Sequence, residues 1–400
     1  MKLSVNREAL LEACQSAGAA LPARAVREVL ACFRLDAGGK VPDQLTLTAF
    51  DMELGIRQEL RGVEVSRGGS VLLPANQLTQ VLRESRAETV ELEGIPGQET
   101  VTLRCGGGSS SAARFELPQR PVEEFPELPE GGEPQQCVAE GLAEQFREMI
   151  RRTLFAIPKK DVVDRYAFKG LLWEVSGAGE GSAPSNRTLR LVATDGKRLA
   201  LSETTLQISG GDGTRLHPLV PSRAMTLLER VLTHDGEVVQ AHLGVNDVRF
   251  LTERAMIYTT LVQGRFPPYR DILEKAEKSA KIKISLPLDE FLAAVRQIRV
   301  MTDEESRRVD MSFRAGGVTL EGRGTATGSG HVELPLPDFA GPAIRIAFDP
   351  DFLIEYLNIA KGENAALSLE LTAADKPALF RCGEGWIYLV MPMLLESHTR

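Results

Sequence analysis

One short pattern recurs six times along the chain: an alternating apolar stretch that runs into an amphipathic, helix-forming stretch. The pairs are 2–5 with 6–14, 70–73 with 74–83, 136–139 with 141–154, 216–220 with 221–232, 281–286 with 287–300, and 343–348 with 350–360. Strands repeat every two residues and helices every 3.6, so the change of period marks each junction. The copies lie roughly 60 to 80 residues apart, beyond the periods of stacked solenoids, and therefore read as half-domain units. Pro74, Pro221, Pro287 and Pro350 stand where four of the helices begin, a position that suits proline's fixed φ. Asp349, just ahead of Pro350, has the chemistry of a capping residue.

Between the helices, apolar runs at 45–50, 90–92, 101–103, 238–243, 248–251, 256–262 and 318–320 predict three strands after each helix. Two such units make one domain. The chain is therefore expected to be α+β, with three repeated domains, each of two helices packed on antiparallel sheets. The expected bounds are 1–130, 136–266 and 279–400. The segment 118–134, rich in Pro, Glu and Gly, and the charged segment 274–281 are expected to be connectors.

A chain of 400 residues is too long for one ordinary core, which agrees with three domains. With 43% hydrophobic and 26% charged residues, it has the composition of a soluble globular protein. No apolar run approaches the roughly 20 residues of a membrane span. The first residues, Met1-Lys2-Leu3-Ser4-Val5-Asn6-Arg7, lack the apolar centre of a signal peptide, so a cytoplasmic location is expected, with no membrane partner. Cys14, Cys32, Cys105, Cys137 and Cys382 are scattered without a Cys-x-x-Cys pair, and the histidines without a His-x-x-x-His pair. Neither a disulfide frame nor a metal site is expected. The glycine-rich stretches 106–111 and 177–182 lack a Gly-Lys-Ser/Thr ending or a following helix, so they read as hairpin loops and not as phosphate cradles.

The net charge of −8 argues against wrapping nucleic acid by bulk electrostatics, yet permits a local basic surface. The helices supply a candidate. In the third, Leu142, Phe146, Met149 and Ile150 form an apolar stripe, with Arg147, Arg151 and Arg152 on the other side among Glu144 and Glu148. In the fourth, Met225, Leu228 and Val231 are apolar, and Arg223 and Arg230 lie outside. Arg296 on the fifth, and Arg83 and Arg86 at the second, continue the scheme. One such face is an ordinary solvated surface. Six arranged around a pseudo-symmetric body would line a common basic surface suited to loose, sequence-independent contact with phosphates.

A second candidate is the stretch 189–201, two apolar runs around Thr194-Asp195-Gly196, followed by Lys197, Arg198 and Leu199. Asp-Gly is a turn dipeptide, because glycine accepts positive φ and Asp can bond its own backbone. Taken alone this is a hairpin turn with two cations beside apolar surface. Read as chemistry, Asp195, Lys197 and Arg198 could form a phosphate-handling enzyme site, but no nucleophile–base set accompanies them.

The chain strongly resembles the bacterial β sliding clamp family, the β subunit of DNA polymerase III. The resemblance rests on 48–54 (Thr-Ala-Phe-Asp-Met-Glu-Leu), 193–200 (Ala-Thr-Asp-Gly-Lys-Arg-Leu-Ala), 264–269 (Gly-Arg-Phe-Pro-Pro-Tyr) and 388–393 (Tyr-Leu-Val-Met-Pro-Met), in that order on the six-unit frame. It implies a non-enzymatic processivity factor without cofactors: a head-to-tail homodimer closing a ring around duplex DNA, with helices lining the hole. It also implies a pocket between the second and third domains for linear motifs of the replicative polymerase, clamp loader and repair proteins. Carried over position by position, that pocket comprises Phe168, Thr194, Gly196, Lys197, Arg198, Leu199, Pro267, Asp271 and Ile272. The third domain adds Phe352, Pro377, Leu389, Val390, Met391, Pro392, Met393 and Leu394. The DNA-facing set becomes Arg24, Arg147, Arg151, Arg152, Lys159, Lys160, Arg165 and Arg223. A paralogue that keeps the fold but has lost loading or pairing is the remaining alternative.

Overall fold

A computed structural model describes residues 1–39, 41–95, 97–106, 113–129, 136–159, 168–176, 186–207, 217–303, 307–363 and 365–393. Among these, each recurring stretch forms a strand leading into a helix: α1 (Arg7–Ala17), α2 (Ala75–Glu84), α3 (Ala143–Leu154), α4 (Ser222–Val231), α6 (Leu288–Arg299) and α7 (Pro350–Ala360). Polar residues at two of the starts hold first-turn amides. Asn6 accepts from the Ala9 N–H at 3.0 Å, and Asp349 accepts from Asp351 at 2.9 Å. Only Pro350 occupies the first helical turn. Pro74, Pro221 and Pro287 precede their helices as the capping residue itself, with extended ψ. A proline there ends the incoming strand and directs the chain into the helix.

The segment 274–281 is not simply a charged connector. Tyr269–Ser279 forms a further helix, α5, whose Tyr269, Leu273 and Ala276 are buried while its charges face outward. The apolar residues fall at i, i+4 and i+7, spacing that the charged composition obscures.

Strands pair antiparallel throughout. One 16-stranded sheet runs through all three domains, and five- and four-stranded sheets complete the first and third. Two pairings join consecutive domains: Leu54–Arg61 with Ala255–Thr260, and Arg198–Gln207 with Trp386–Val390. Helices α1, α3 and α4 pack on one side of this sheet. Phe146, Met149 and Ile150 of α3 are buried there, and the Phe146 ring lies 6.0 Å from Trp173. Removing the Phe146 ring would cost about 3–5 kcal/mol. Leu142, expected on the same stripe, instead precedes the helix and is 39% exposed.

Near the second junction the sheet is covered on both faces. In the strand Gly170–Ser176, Leu171, Trp173 and Val175 enter the helix-side core. Leu172 joins an outer cluster with Leu199, Leu389 and the apolar face of α5. That explains a run of apolar residues without alternation. The connector helix therefore sits on the sheet where the second and third domains meet.

Candidate functional site

The turn after Ala193 is closed by its own side chains. Thr194 Oγ1 donates to the Arg198 carbonyl at 2.6 Å and accepts from the Gly196 N–H at 3.1 Å. Asp195 Oδ1 accepts from the N–H groups of Lys197 (2.9 Å) and Arg198 (3.0 Å). Gly196 has φ +86°, a value only glycine adopts without strain, and its α-carbon faces the Phe168 ring.

The two cations after the turn have opposite surroundings. Lys197 is exposed. Arg198 is buried, 4% exposed, contrary to the expectation that it faces a peptide. Its Nε donates to Asp195 at 3.0 Å, Nη1 to Glu355 of α7 at 2.6 Å and Nη2 to the Phe155 carbonyl at 2.8 Å. A planar guanidinium fork can serve three acceptors at once, which is what a buried charge needs. The alternative enzyme site of Asp195, Lys197 and Arg198 is not assembled, because Asp195 and Arg198 serve each other.

The strand Trp386–Val390 and the residues after it lie against this turn. Leu199 stands opposite Leu389, and Arg198 opposite Val390. The Met391 N–H donates to the Lys197 carbonyl at 2.8 Å, and the Met393 N–H to Ala347 at 2.8 Å. Tyr388 Oη reaches the Phe352 carbonyl at 3.0 Å, and Pro377 is half-buried beside Ala378, which pairs with Val390. Val390 turns its side chain into the helix-side core, so it offers backbone only. The half-buried Pro392 follows Met391, which is 40% exposed. Ile272, at the start of α5 near Pro267 and Asp271, is 49% exposed. Leu394 lies outside the described residues. The junction thus presents an apolar cluster flanked by exposed Ile272 and Met391, with Lys197 and Asp271 as exposed charges of opposite sign.

Two acidic residues were missed by sequence reasoning. Glu174, with its side chain 7% exposed, accepts from Tyr269 Oη and from Arg270, each at 2.7 Å, and so pins the first turn of α5. Burial, and then this carboxylate, push the Tyr269 phenol well above its ordinary pKa. Glu355 holds Arg198 and also Lys159. Each is a lone carboxylate in an apolar run, Leu-Leu-Trp-Glu-Val and Phe-Leu-Ile-Glu-Tyr-Leu, and such a residue signals a buried partner.

The helical face is less basic than its arginines suggest. Arg147 pairs with Asp235, Arg151 with Glu363 (3.3 Å), Arg223 with Asp51 (2.7 Å) and Lys159 with Glu355. Arg152 is not on that face. It is 8% exposed, with Nη2 2.6 Å from Glu363, because its place on α3 points into the seam between two domains. Arg24 is exposed and makes no hydrogen bond or ion pair among the described residues, as do Arg83, Arg86 and Arg230. Lys160 and Arg165 lie outside the described residues. Among these residues no group of three or more His, Cys, Asp or Glu side chains is placed to hold a metal, and no helix is long and apolar enough to cross a membrane.

Three family models match the chain in order: the DNA polymerase III beta subunit N-terminal domain over 1–129, its central domain over 142–268 and its C-terminal domain over 277–393. The beta sliding clamp of Pseudomonas putida is 28% identical over 395 residues, covering 99% of this chain and 100% of the relative. That of Chlamydia muridarum is 26% identical over 360 residues, 89% of each. The crystal structure of the DNA polymerase III subunit beta from Pseudomonas aeruginosa superposes with a TM-score of 0.82 at 25% identity, covering 99% of this chain and 100% of that one. With all three domains matched in sequence order, the chain belongs to the DNA polymerase III β subunit family, the bacterial sliding clamps that act as processivity factors.

Proposed function

We propose that two copies of this chain close head to tail into a ring around duplex DNA, and that the junction of the second and third domains receives short linear motifs of the replicative polymerase, the clamp loader and repair proteins. The role is mechanical: the ring holds DNA by topology, so the net charge of −8 is no obstacle. The observation that carries the docking proposal is exposed Ile272 and Met391 flanking the apolar cluster of Leu199 and Leu389. An apolar surface rimmed by opposite charges suits a short peptide with an apolar anchor. Contact with DNA falls to Arg24, with Arg83, Arg86 and Arg230, ahead of the arginines already paired.

Two measurements test this reading. Loaded protein should persist on nicked circular DNA and leave linear DNA by its ends; equal retention on both would remove the topological model. Deleting residues 391–400 should abolish capture of a fluorescent polymerase-tail peptide while sedimentation still reports a dimer. Binding that survived the deletion would disprove the pocket.

A further inference from the structure

On the outer face of the sheet, between the first turn of α5 and the strands Gly170–Ser176 and Leu219–Pro221, lies a cavity of about 620 Å³. Its apolar walls are Leu172, Leu219, Phe266, Pro267 and Pro268. Leu172 and Leu219 belong to the same buried cluster as Leu199 and Leu389, so this cavity and the docking junction share one apolar floor. Pro267 and Asp271, carried over above to the docking pocket, line it as well.

Of the charged residues that line the cavity, only Glu174 is buried. Its two oxygens differ. Oε2 accepts from Tyr269 Oη and from Arg270, each at 2.7 Å, and Arg190 stands 3.7 Å away. Oε1 accepts from no donor among the described residues, because His217 Nδ1 is 4.0 Å away, beyond hydrogen-bond reach. A carboxylate oxygen removed from bulk water calls for an N–H or O–H partner.

The surroundings restrict what can supply that donor. A lysine or arginine head would meet Arg190 and Arg270, which already flank the carboxylate. A carboxylate would meet Glu174 itself. A neutral N–H on a flat apolar body suits both parts of the cavity: the donor reaches Oε1, and the ring packs against Phe266 and the two prolines. Among side chains this describes tryptophan, whose indole N–H donates and accepts nothing. A largely apolar cavity of several hundred Å³ with one or two oriented polar groups is the ordinary form of a ligand pocket.

We propose that this cavity is a tryptophan pocket. A partner segment anchored at the docking junction continues past Pro267 and seats a tryptophan here, with its indole N–H on Glu174 Oε1. The pocket stands on the residues that line it, while the peptide that fills it rests on the docking reading above. Partners with the same apolar anchor are then sorted by whether they carry this second residue.

Ligand-observed NMR on the full-length protein, with indole and 1-methylindole as probes, tests the pocket without any peptide. Indole should bind about tenfold more tightly than 1-methylindole, which keeps the ring and lacks the donor. In Glu174→Gln, Tyr269 and Arg270 claim the amide oxygen, so the amide nitrogen faces the cavity and the preference for indole should vanish. His217→Trp, at an exposed position on the cavity wall, should block indole, and it decides the matter should Glu174→Gln fail to fold. Equal binding of the two probes, or indole binding indifferent to His217→Trp, overturns the pocket. In the peptide arm, the polymerase-tail peptide is extended at either end by a tryptophan on short glycine spacers. From one end it should bind about tenfold more tightly than its phenylalanine counterpart. Selective indole binding without that gain overturns the peptide as occupant. A tail peptide that binds in no form removes the docking reading, and the indole arm still decides the pocket.

Discussion

The Arg198 guanidinium stands 4.4 Å from the centre of the Phe352 ring, so the cation that follows a turn of the second domain is clasped by α7 of the third. With Glu355 at 2.6 Å and Asp195 at 3.0 Å, it ties the turn after Ala193 to the domain seam. The neighbouring Lys197 is left at the rim.

Arg198→Ala should lower stability by about 2–3 kcal/mol, because Asp195 and Glu355 lose their buried partner and keep only the turn amides and Lys159. Arg198→Lys should recover little, since an ammonium cannot serve Asp195, Glu355 and the Phe155 carbonyl together. Lys197→Ala should stay within about 0.5 kcal/mol of wild type while weakening peptide capture. Urea unfolding of the three variants checks the order; an unshifted Arg198→Ala curve would show that the seam does not depend on this contact.

Gly196→Ala tests the turn. An added Cβ would lie 3.5 Å from Phe168, ordinary contact, so the cost comes from φ alone, about 1–2 kcal/mol. Gly196→Asn should cost less, because asparagine tolerates this backbone region. Thermal unfolding midpoints should rank wild type, Asn, Ala.

Thiol labelling reads the cores. Cys14, Cys32, Cys105 and Cys382 are buried, and Cys137 is half-buried. Burial pushes the Cys32 thiol up to about 11 and Cys14 higher still, so neither is nucleophilic near neutrality. Mass spectrometry after brief maleimide treatment should find Cys137 modified first in the native protein, and all five in denaturant. Early labelling of Cys14 would mean that the first domain opens readily.

Asp349 predicts a pH dependence. Burial raises its carboxyl pKa above the ordinary value, partly offset by the Asp351 N–H that it caps. A carboxyl whose folded pKa exceeds its unfolded one favours folding when protonated. Its contribution is therefore fullest below about 3.9 and declines as pH rises through the folded value. Asp349→Asn keeps the cap without the ionisation, so its melting temperature should exceed wild type at pH 7, with the gap closing at low pH. A gap that widened on acidification would reverse the assignment.

The six strand-to-helix units, the antiparallel architecture and the Thr194–Gly196 turn were legible in the chain because each depends on neighbours close in sequence. Period two against 3.6, Asp349 ahead of Pro350, and Gly196 after Asp195 are all local signals. The family resemblance then named Leu199 and Leu389 together, two residues that the strands place opposite each other. Helix α5 escaped because its three buried apolar residues are outnumbered by charges, and only the underlying sheet gives them something to cover.

What the tertiary structure alone decided is which of two adjacent, chemically alike residues is buried. Lys197 and Arg198, like Arg151 and Arg152, differ by one position, which rotates a helical side chain by about 100° or flips a strand side chain to the other face. The outcome is set by partners far along the chain: Glu355 lies 157 residues from Arg198, and Glu363 lies 211 from Arg152. Ser16 and Arg152 show it again: each is the tenth residue of its helix, yet Ser16 bonds Gln58 within its own domain while Arg152 meets Glu363 of the next. Local periodicity determines which elements form; long-range pairing, which no short window contains, determines what each exposed-looking charge does.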